Sequence, residues 1–262
     1  MAKVFFNNRW FEELSPNSVY EAAYETMVKA HAQHLWPRFH AVKFKSTVSV
    51  GRTSAKADFA LVERSYAEWW VVEVELDHHS LKDHVIPQAK TLANAVYGDE
   101  EARKLCAGCR DLDVGKMRTL LKDNQPGVLV VVNKPKPDWI KPLSKCNAKL
   151  AVFEVFRCGS TEHLFRVNGD HPIGRAESIS ICRLSPLMSR SLVIETPVGL
   201  SVQPEGKIKI RYHDHLTEWE RLDVAGKVWL LSIGPNPLSD SFDYELLRVG
   251  DGQFMFLEIP KI

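Results

Sequence analysis

The chain has 262 residues, 45% of them hydrophobic and 26% charged, a globular composition sized for one large domain or a domain with a smaller module. Nothing in it approaches eighteen consecutive apolar residues, and MAKVFFNNRWFEEL has too short an apolar run before its acids, so a membrane span and a signal peptide are both expected to be absent. A net charge of +1 says little about partners, while five cysteines, an odd number at irregular spacing, argue for a reducing cytoplasm and against a disulfide framework.

Ser15 and Pro16 suit the cap and first position of a helix through VYEAAYETMVKAHAQHLW that stops before Pro37. FHAVKFKSTVSV then alternates apolar and polar residues, a strand signal, and Gly51-Arg52-Thr53-Ser54 is a turn. ADFALVE and WWVVEVEL follow as adjacent strands of a buried hairpin. Ser80 caps a helix expected to run to Tyr97 and end at Gly98, with Pro87 bending it. Residues 99–123 are helical with interruptions near Gly108 and Gly115. GVLVVVN reads as a central strand, PDWIKPLSKC as a short helix and AKLAVFEVF as a further strand. Three strands followed by helix–strand crossovers predict an α/β unit, a mixed sheet flanked by helices, over residues 1–167. From 168 to 262, short apolar runs broken by Gly and Pro predict an all-β module, a small barrel or sandwich.

Three carboxylates stand out: Asp58 before one strand, and Glu73 and Glu75 on the next. With side chains alternating along WWVVEVELD, Trp69, Val71, Glu73, Glu75 and Asp77 share one face, so the strand presents acids toward its C-terminal end. Like charges gathered there repel, and a divalent cation removes the repulsion, so the cluster reads as a metal site. The alternative is a charged row at a sheet edge, against which the apolar Trp69-Trp70-Val71-Val72 run argues.

The order helix, three strands, helix, strand, with Asp58 at the second strand and Glu73-Val74-Glu75 on the third, resembles the PD-(D/E)XK nuclease superfamily over roughly residues 15–156. The resemblance implies a restriction-endonuclease-like fold and metal-assisted phosphodiester hydrolysis. It implies Mg²⁺, with Mn²⁺ as a substitute, held by Asp58, Glu73, the Val74 carbonyl and Glu75. A glutamate on the first helix often completes such a site: Glu21, in Tyr20-Glu21, fits best, and Glu25 lies one turn on. Gln88 and Lys90 resemble the family's fourth motif. Glu75 stands where the family carries lysine, as in some active restriction enzymes. It would accept a proton from the attacking water or help hold a second metal, with Lys82 or Lys90 restoring positive charge. Lys43, Lys45, Arg52 and Lys56 flank the site and would grip a nucleic-acid backbone. Double-stranded DNA is the expected substrate, with a homodimer or a larger defence or repair complex as the working assembly. Two rival readings are a catalytically inactive nucleic-acid-binding protein and a protein-interaction module.

Bland readings stand beside these: Glu21 and Glu25 as a solvated helix face, Gln88 as a surface residue, Lys43 and Lys45 as the exposed side of a strand. Asp77-His78-His79 with His84 offers imidazoles to a transition metal, or one of them as an auxiliary base. Cys106-Ala107-Gly108-Cys109 has metal or redox spacing but no partner nearby in sequence, so reduced, partly buried thiols are the default. His213-Asp214-His215 is expected on a solvated strand.

Overall fold

The computed structural model of the protein describes residues 2–14, 20–159, 162–172, 177–186, 188, 190–194, 200, 202–212, 215–249 and 253–261. Ser15, Pro16, His213 and Asp214 lie outside these residues. The chain divides into two compact units, Met1–Gly174 and Arg175–Ile262.

In the first unit the elements are β1 (Lys3–Phe6), β2 (Arg9–Glu13), α1 (Glu21–Leu35), β3 (Phe39–Lys43), β4 (Thr47–Val50), β5 (Thr53–Lys56), β6 (Phe59–Glu63) and β7 (Trp69–Glu75). A π-helical turn (Leu81–Val85) leads into α2 (Ile86–Asn94). Then come α3 (Asp99–Gly108), α4 (Val114–Asp123), β8 (Gly127–Val132), α5 (Pro137–Ser144), β9 (Ala148–Cys158) and β10 (Glu162–Gly169). The eight-stranded sheet has the order β1-β2-β9-β8-β7-β6-β3, with β10 also on β9. β3, β6 and β7 are antiparallel neighbours, and β7, β8 and β9 run parallel, so the sheet is mixed as the crossovers predict. The structural boundary falls after residue 174, seven residues beyond the expected one, because β10 pairs along β9 from Glu162↔Cys158 to Gly169↔Ala151.

The central strands are buried on both faces. On one face, Tyr24, Val28 and Ala32 of α1, spaced one turn apart, pack with Trp36 onto Phe59, Leu61, Val72, Val74, Leu129 and Val131. On the other, Val85, Ala89 and Leu92 join Ala60, Val62, Trp69, Val71, Val128 and Val130, with Leu105, Met117 and Leu120 beyond them. β7 therefore alternates as expected: Trp69 and Val71 face α2, while Val72 and Val74 face α1.

Four local differences have physical causes. FHAVKFKSTVSV is two strands; β4 folds back onto β5 as a separate two-stranded sheet, and the buried series Val42, Phe44, Ser46, Val48 carries one alternation across the break. The β1–β2 hairpin carries no strand signal in the sequence, because Phe5, Phe6 and Trp10 are exposed and leave no buried alternation to read. The helix after Ser80 opens with a π turn, in which Val85 N–H donates to Ser80 O at 3.2 Å, and it ends at Asn94. Pro87, lacking an N–H, sits in the first turn of α2 and follows directly on the widened turn. Gly98 opens α3 instead of closing α2, its N–H donating to Glu101 Oε2 at 3.0 Å, and Gly115 lies inside α4, which Asp113 caps.

The second unit is a closed barrel of seven strands: β11 (Glu177–Leu184), β12 (Ser191–Ile194), β13 (Lys207–Tyr212), β14 (His215–Val224), β15 (Lys227–Ser232), β16 (Phe242–Val249) and β17 (Gln253–Pro260). Its order is β11-β12-β15-β14-β13-β17-β16, and of these pairings only β13–β17 is parallel. Inward-facing Ile208, Ile210, Trp219, Leu230, Tyr244 and Phe256 fill it. Among the described residues no helix is long and apolar enough to cross a membrane.

Candidate metal centre

β6 and β7 pair from Val62↔Trp69 to Phe59↔Val72, and there β6 begins while β7 continues to Glu75. Asp58 occupies the point where the pairing stops. Its N–H donates to Val72 O at 3.0 Å, and its Oδ2 accepts from Val74 N–H at 2.8 Å. Asp58 thus supplies the acceptor that β6 no longer offers. Because a strand residue presents its N–H and C=O to the same edge, the Val74 carbonyl faces the same opening. Glu73 and Glu75 follow Trp69 and Val71 on the α2 face, and each is buried, with 4% and 1% of its surface exposed. Glu73 Oε1 is buried without a hydrogen-bond partner.

Helix α1 adds two acids to this strand end. Glu21 and Glu25 are a turn apart in the first turns of α1, beside the stripe begun by Tyr24 that seats the helix on the sheet. Glu25 pairs with Lys29, and Lys45 Nζ lies 3.9 Å from its Oε1. The five carboxylates act on one another. Burial holds the Glu73 carboxyl well above the ordinary range, and the charges of Asp58, Glu75, Glu21 and Glu25 push it further. Burial also raises Asp58 to about 6, reinforced by Glu25 and Glu21 and opposed by the Val74 N–H and by Lys29. Burial lifts Glu75 to about 7, with Glu21 and Asp58 adding to it and His84 working against it.

Glu75 is held by histidines. His79 Nδ1 meets one oxygen, His84 Nε2 lies 3.4 Å from the other, and His79 Nε2 is 3.6 Å from Glu21 Oε2. The His79 and His84 rings meet edge-on, 5.1 Å between centroids. Among the described residues, Glu75, His79 and His84 have ligand atoms all within 4.8 Å of one another, whereas Asp58, Glu73 and Glu75 are not such a set. The predicted ligands therefore fall into two neighbouring groups: Asp58 and Glu73 beside the Val74 edge, and Glu75 drawn toward His79 and His84. Spacing in sequence could not show this, because the π turn before α2 sets where His84 points.

The expected lysines are not part of the cluster. Ile86 and Lys90, one turn apart, line a cavity of about 600 Å³ with Asp138, Lys141, Pro142 and Cys146 of α5 and its C-terminal side. Ala89 and Leu92 take the inward stripe of α2, which turns Lys90 away, and Lys82 is exposed. The cation acting on Asp58 is Lys29 of α1, which sequence spacing did not single out. Gln88 is half-buried with Oε1 unpartnered. Lys43, Lys45, Arg52 and Lys56 are all exposed: three alternate with the buried residues of β3–β5, and Arg52 sits in the β4–β5 turn. Of these, Lys45 is the one that reaches the acids.

No family model, curated protein or solved structure matches the chain. What the site can do follows from its own donors. Asp58, Glu73 and the Val74 edge offer oxygen alone, one carboxylate oxygen is buried and unpartnered, and the acids repel one another. That donor set fits a hard divalent cation such as Mg²⁺.

Proposed function

We propose that the protein is a metal-dependent endonuclease of the PD-(D/E)XK type that hydrolyses phosphodiester bonds, with double-stranded DNA as substrate and restriction or anti-phage defence as its setting. The observation that carries this reading is the gathering of Asp58, Glu73, Glu75, Glu21 and Glu25 at one end of a mixed sheet flanked by helices. A surface acid row would be solvated, but here two of the acids are almost fully buried.

Asp58, Glu73 and the Val74 carbonyl would hold Mg²⁺ or Mn²⁺, which supplies acidity to a water and polarises the scissile phosphate. Glu75, raised to about 7, is suited to take a proton near neutral pH, and His79 and His84 fix its two oxygens. Lys45 at the rim, with Lys43, Arg52 and Lys56 on the adjoining exposed face, would bind backbone phosphates. One such site cuts one strand, so duplex cleavage calls for a homodimer or paired sites in a larger assembly.

Supercoiled plasmid incubated with Mg²⁺ or Mn²⁺ tests the reading. The wild type is expected to nick or linearise it, and Asp58→Ala to leave it intact; equal behaviour of the two proteins would sink the proposal. One observation favours a second reading, a nucleic-acid-binding protein that does not cut. Glu75 replaces the family's lysine, and Lys82 and Lys90 do not restore it. Salt-dependent DNA binding without nicking in either metal would select that alternative.

A further inference from the structure

A second cluster of ligating side chains lies away from the carboxylates, where α3 ends on the edge strand β3. The approach is close: a Cβ at Gly108 would sit 2.8 Å from Val42 Cγ1 and 3.0 Å from Lys43 O. The missing side chain lets the last turn of α3 rest on β3, over the face that His40 shares with Val42. Cys109 closes the helix, its N–H reaching Leu105 O at 3.2 Å, and Leu112 N–H returns to Cys109 O at 3.2 Å. That turn folds Asp111 back toward the same point. Cys109 Sγ lies 3.9 Å from His40 Nδ1, and the ligand atoms of His40, Cys109 and Asp111 are all within 4.8 Å of one another. A thiolate and an imidazole sharing a tetrahedral Zn²⁺ stand about 3.6 Å apart, given their usual bond lengths.

We propose that His40, Cys106, Cys109 and Asp111 form a structural Zn²⁺ site that pins the C-terminal turn of α3 to β3. His40, Cys109 and Asp111 are already gathered; Cys106, half-buried like Cys109 and in the last turn of α3, lies outside that set and would turn in to supply the fourth donor. Two thiolates, an imidazole and a carboxylate complete a tetrahedron and leave no position for substrate. The site stands independently of the nuclease reading, since it shares no residue with the Asp58 cluster.

The full-length protein is loaded with Zn²⁺, passed through a desalting column and assayed for metal, then reloaded with Co²⁺. The expected result is about one tightly held Zn²⁺ per chain and, with Co²⁺, a thiolate-to-metal charge-transfer band. An all-oxygen site such as Asp58 and Glu73 cannot produce that band. It should persist in Asp58→Ala, vanish in Cys109→Ser, and need at least roughly tenfold more Co²⁺ in His40→Ala. Alkylation of the wild type guards against a variant that fails to fold. Zn²⁺ should shield Cys106 and Cys109 from iodoacetamide and a chelator should expose them, with Cys158 as the internal control. Failure to retain Zn²⁺, alkylation indifferent to metal, a band that survives Cys109→Ser, or a Cys106–Cys109 disulfide in the isolated protein would each overturn the site.

Discussion

The carboxylate cluster predicts how stability depends on pH when no divalent cation is present. Asp58 titrates at about 6 in the fold and Glu75 at about 7. In the unfolded chain such groups titrate near about 3.9 and 4.3. Both values are raised by folding, so the folded state holds more protons. The stabilisation is complete below the unfolded values and is lost as pH climbs through the folded ones. From pH 5 to pH 8 that amounts to about one pH unit of loss for Asp58 and two for Glu75, at about 1.4 kcal/mol each, or roughly 4 kcal/mol together. For a unit of this size the melting temperature should fall by about 10 °C. Thermal unfolding of wild type and of the Asp58→Asn/Glu75→Gln double variant, in metal-depleted buffer across this range, reads the loss from these two acids together with the relief their removal gives Glu73. Mg²⁺ held by the ionised carboxylates, as proposed, would stabilise the fold, so the stabilisation it gives the wild type should grow with pH. A wild-type melting temperature that tracks the double variant's, or an Mg²⁺ effect equal at pH 5 and pH 8, would refute the claim that these acids are held together against their charge.

Three further outcomes follow from particular contacts. Glu75→Gln should lower the cleavage rate about 100-fold and remove the rise in rate through neutral pH, read from initial rates across pH, because the amide cannot accept a proton. Gly127→Ala should cost about 1–3 kcal/mol in denaturant unfolding. A Cβ there would lie 2.2 Å from Trp70 Cε3, with the indole ring covering the glycine directly opposite it in the β7–β8 register. Replacing Lys43, Lys45, Arg52 and Lys56 together by alanine should flatten the dependence of log affinity for duplex DNA on log salt by up to about 3.6, in a binding titration across ionic strengths. An unchanged slope would remove that face from the nucleic-acid interface.

The sheet was legible because its central strands carry unambiguous patterns. Residues 59–62, 69–72 and 128–132 are continuous apolar runs within strands buried on both faces. The acids could be placed on their strand by alternation alone, which put Glu73 and Glu75 on the face of Trp69. What escaped depends on structure that local sequence does not encode. The β4–β5 hairpin keeps the alternation of the strand before it, so only a backbone break separates them. Lys90 and Lys29 look alike in sequence, yet the inward stripe of α2 turns Lys90 toward α5 while the stripe of α1 leaves Lys29 beside Glu25. His40 and Cys109 are 69 residues apart, so the CxxC pair found no partner until β3 and α3 were laid together.

Asp58, Glu73, Glu75, Glu21 and Glu25 all bear on one strand end, and the lysines close to them are Lys29 and Lys45. With every acid ionised and the histidines neutral, the cluster carries three uncompensated negative charges, an arrangement a buried site cannot keep. Two ways out exist. Protons can settle on the most buried acids, as the raised values of Glu73 and Glu75 describe, or one divalent cation can leave a single residual charge. Both act on the same oxygens, so they compete, and cation affinity must rise as protons leave. The histidines bias the competition: His79 and His84 hold the two oxygens of Glu75, and His84 favours its charged form, while Asp58 and Glu73 face the Val74 edge. Replacing both histidines by glutamine should therefore weaken Mg²⁺ binding at neutral pH while leaving it nearly unchanged in more alkaline solution, where Glu75 ionises without help. Calorimetric titration at the two pH values measures this, and an equal loss at both would mean that the histidines are ligands in their own right.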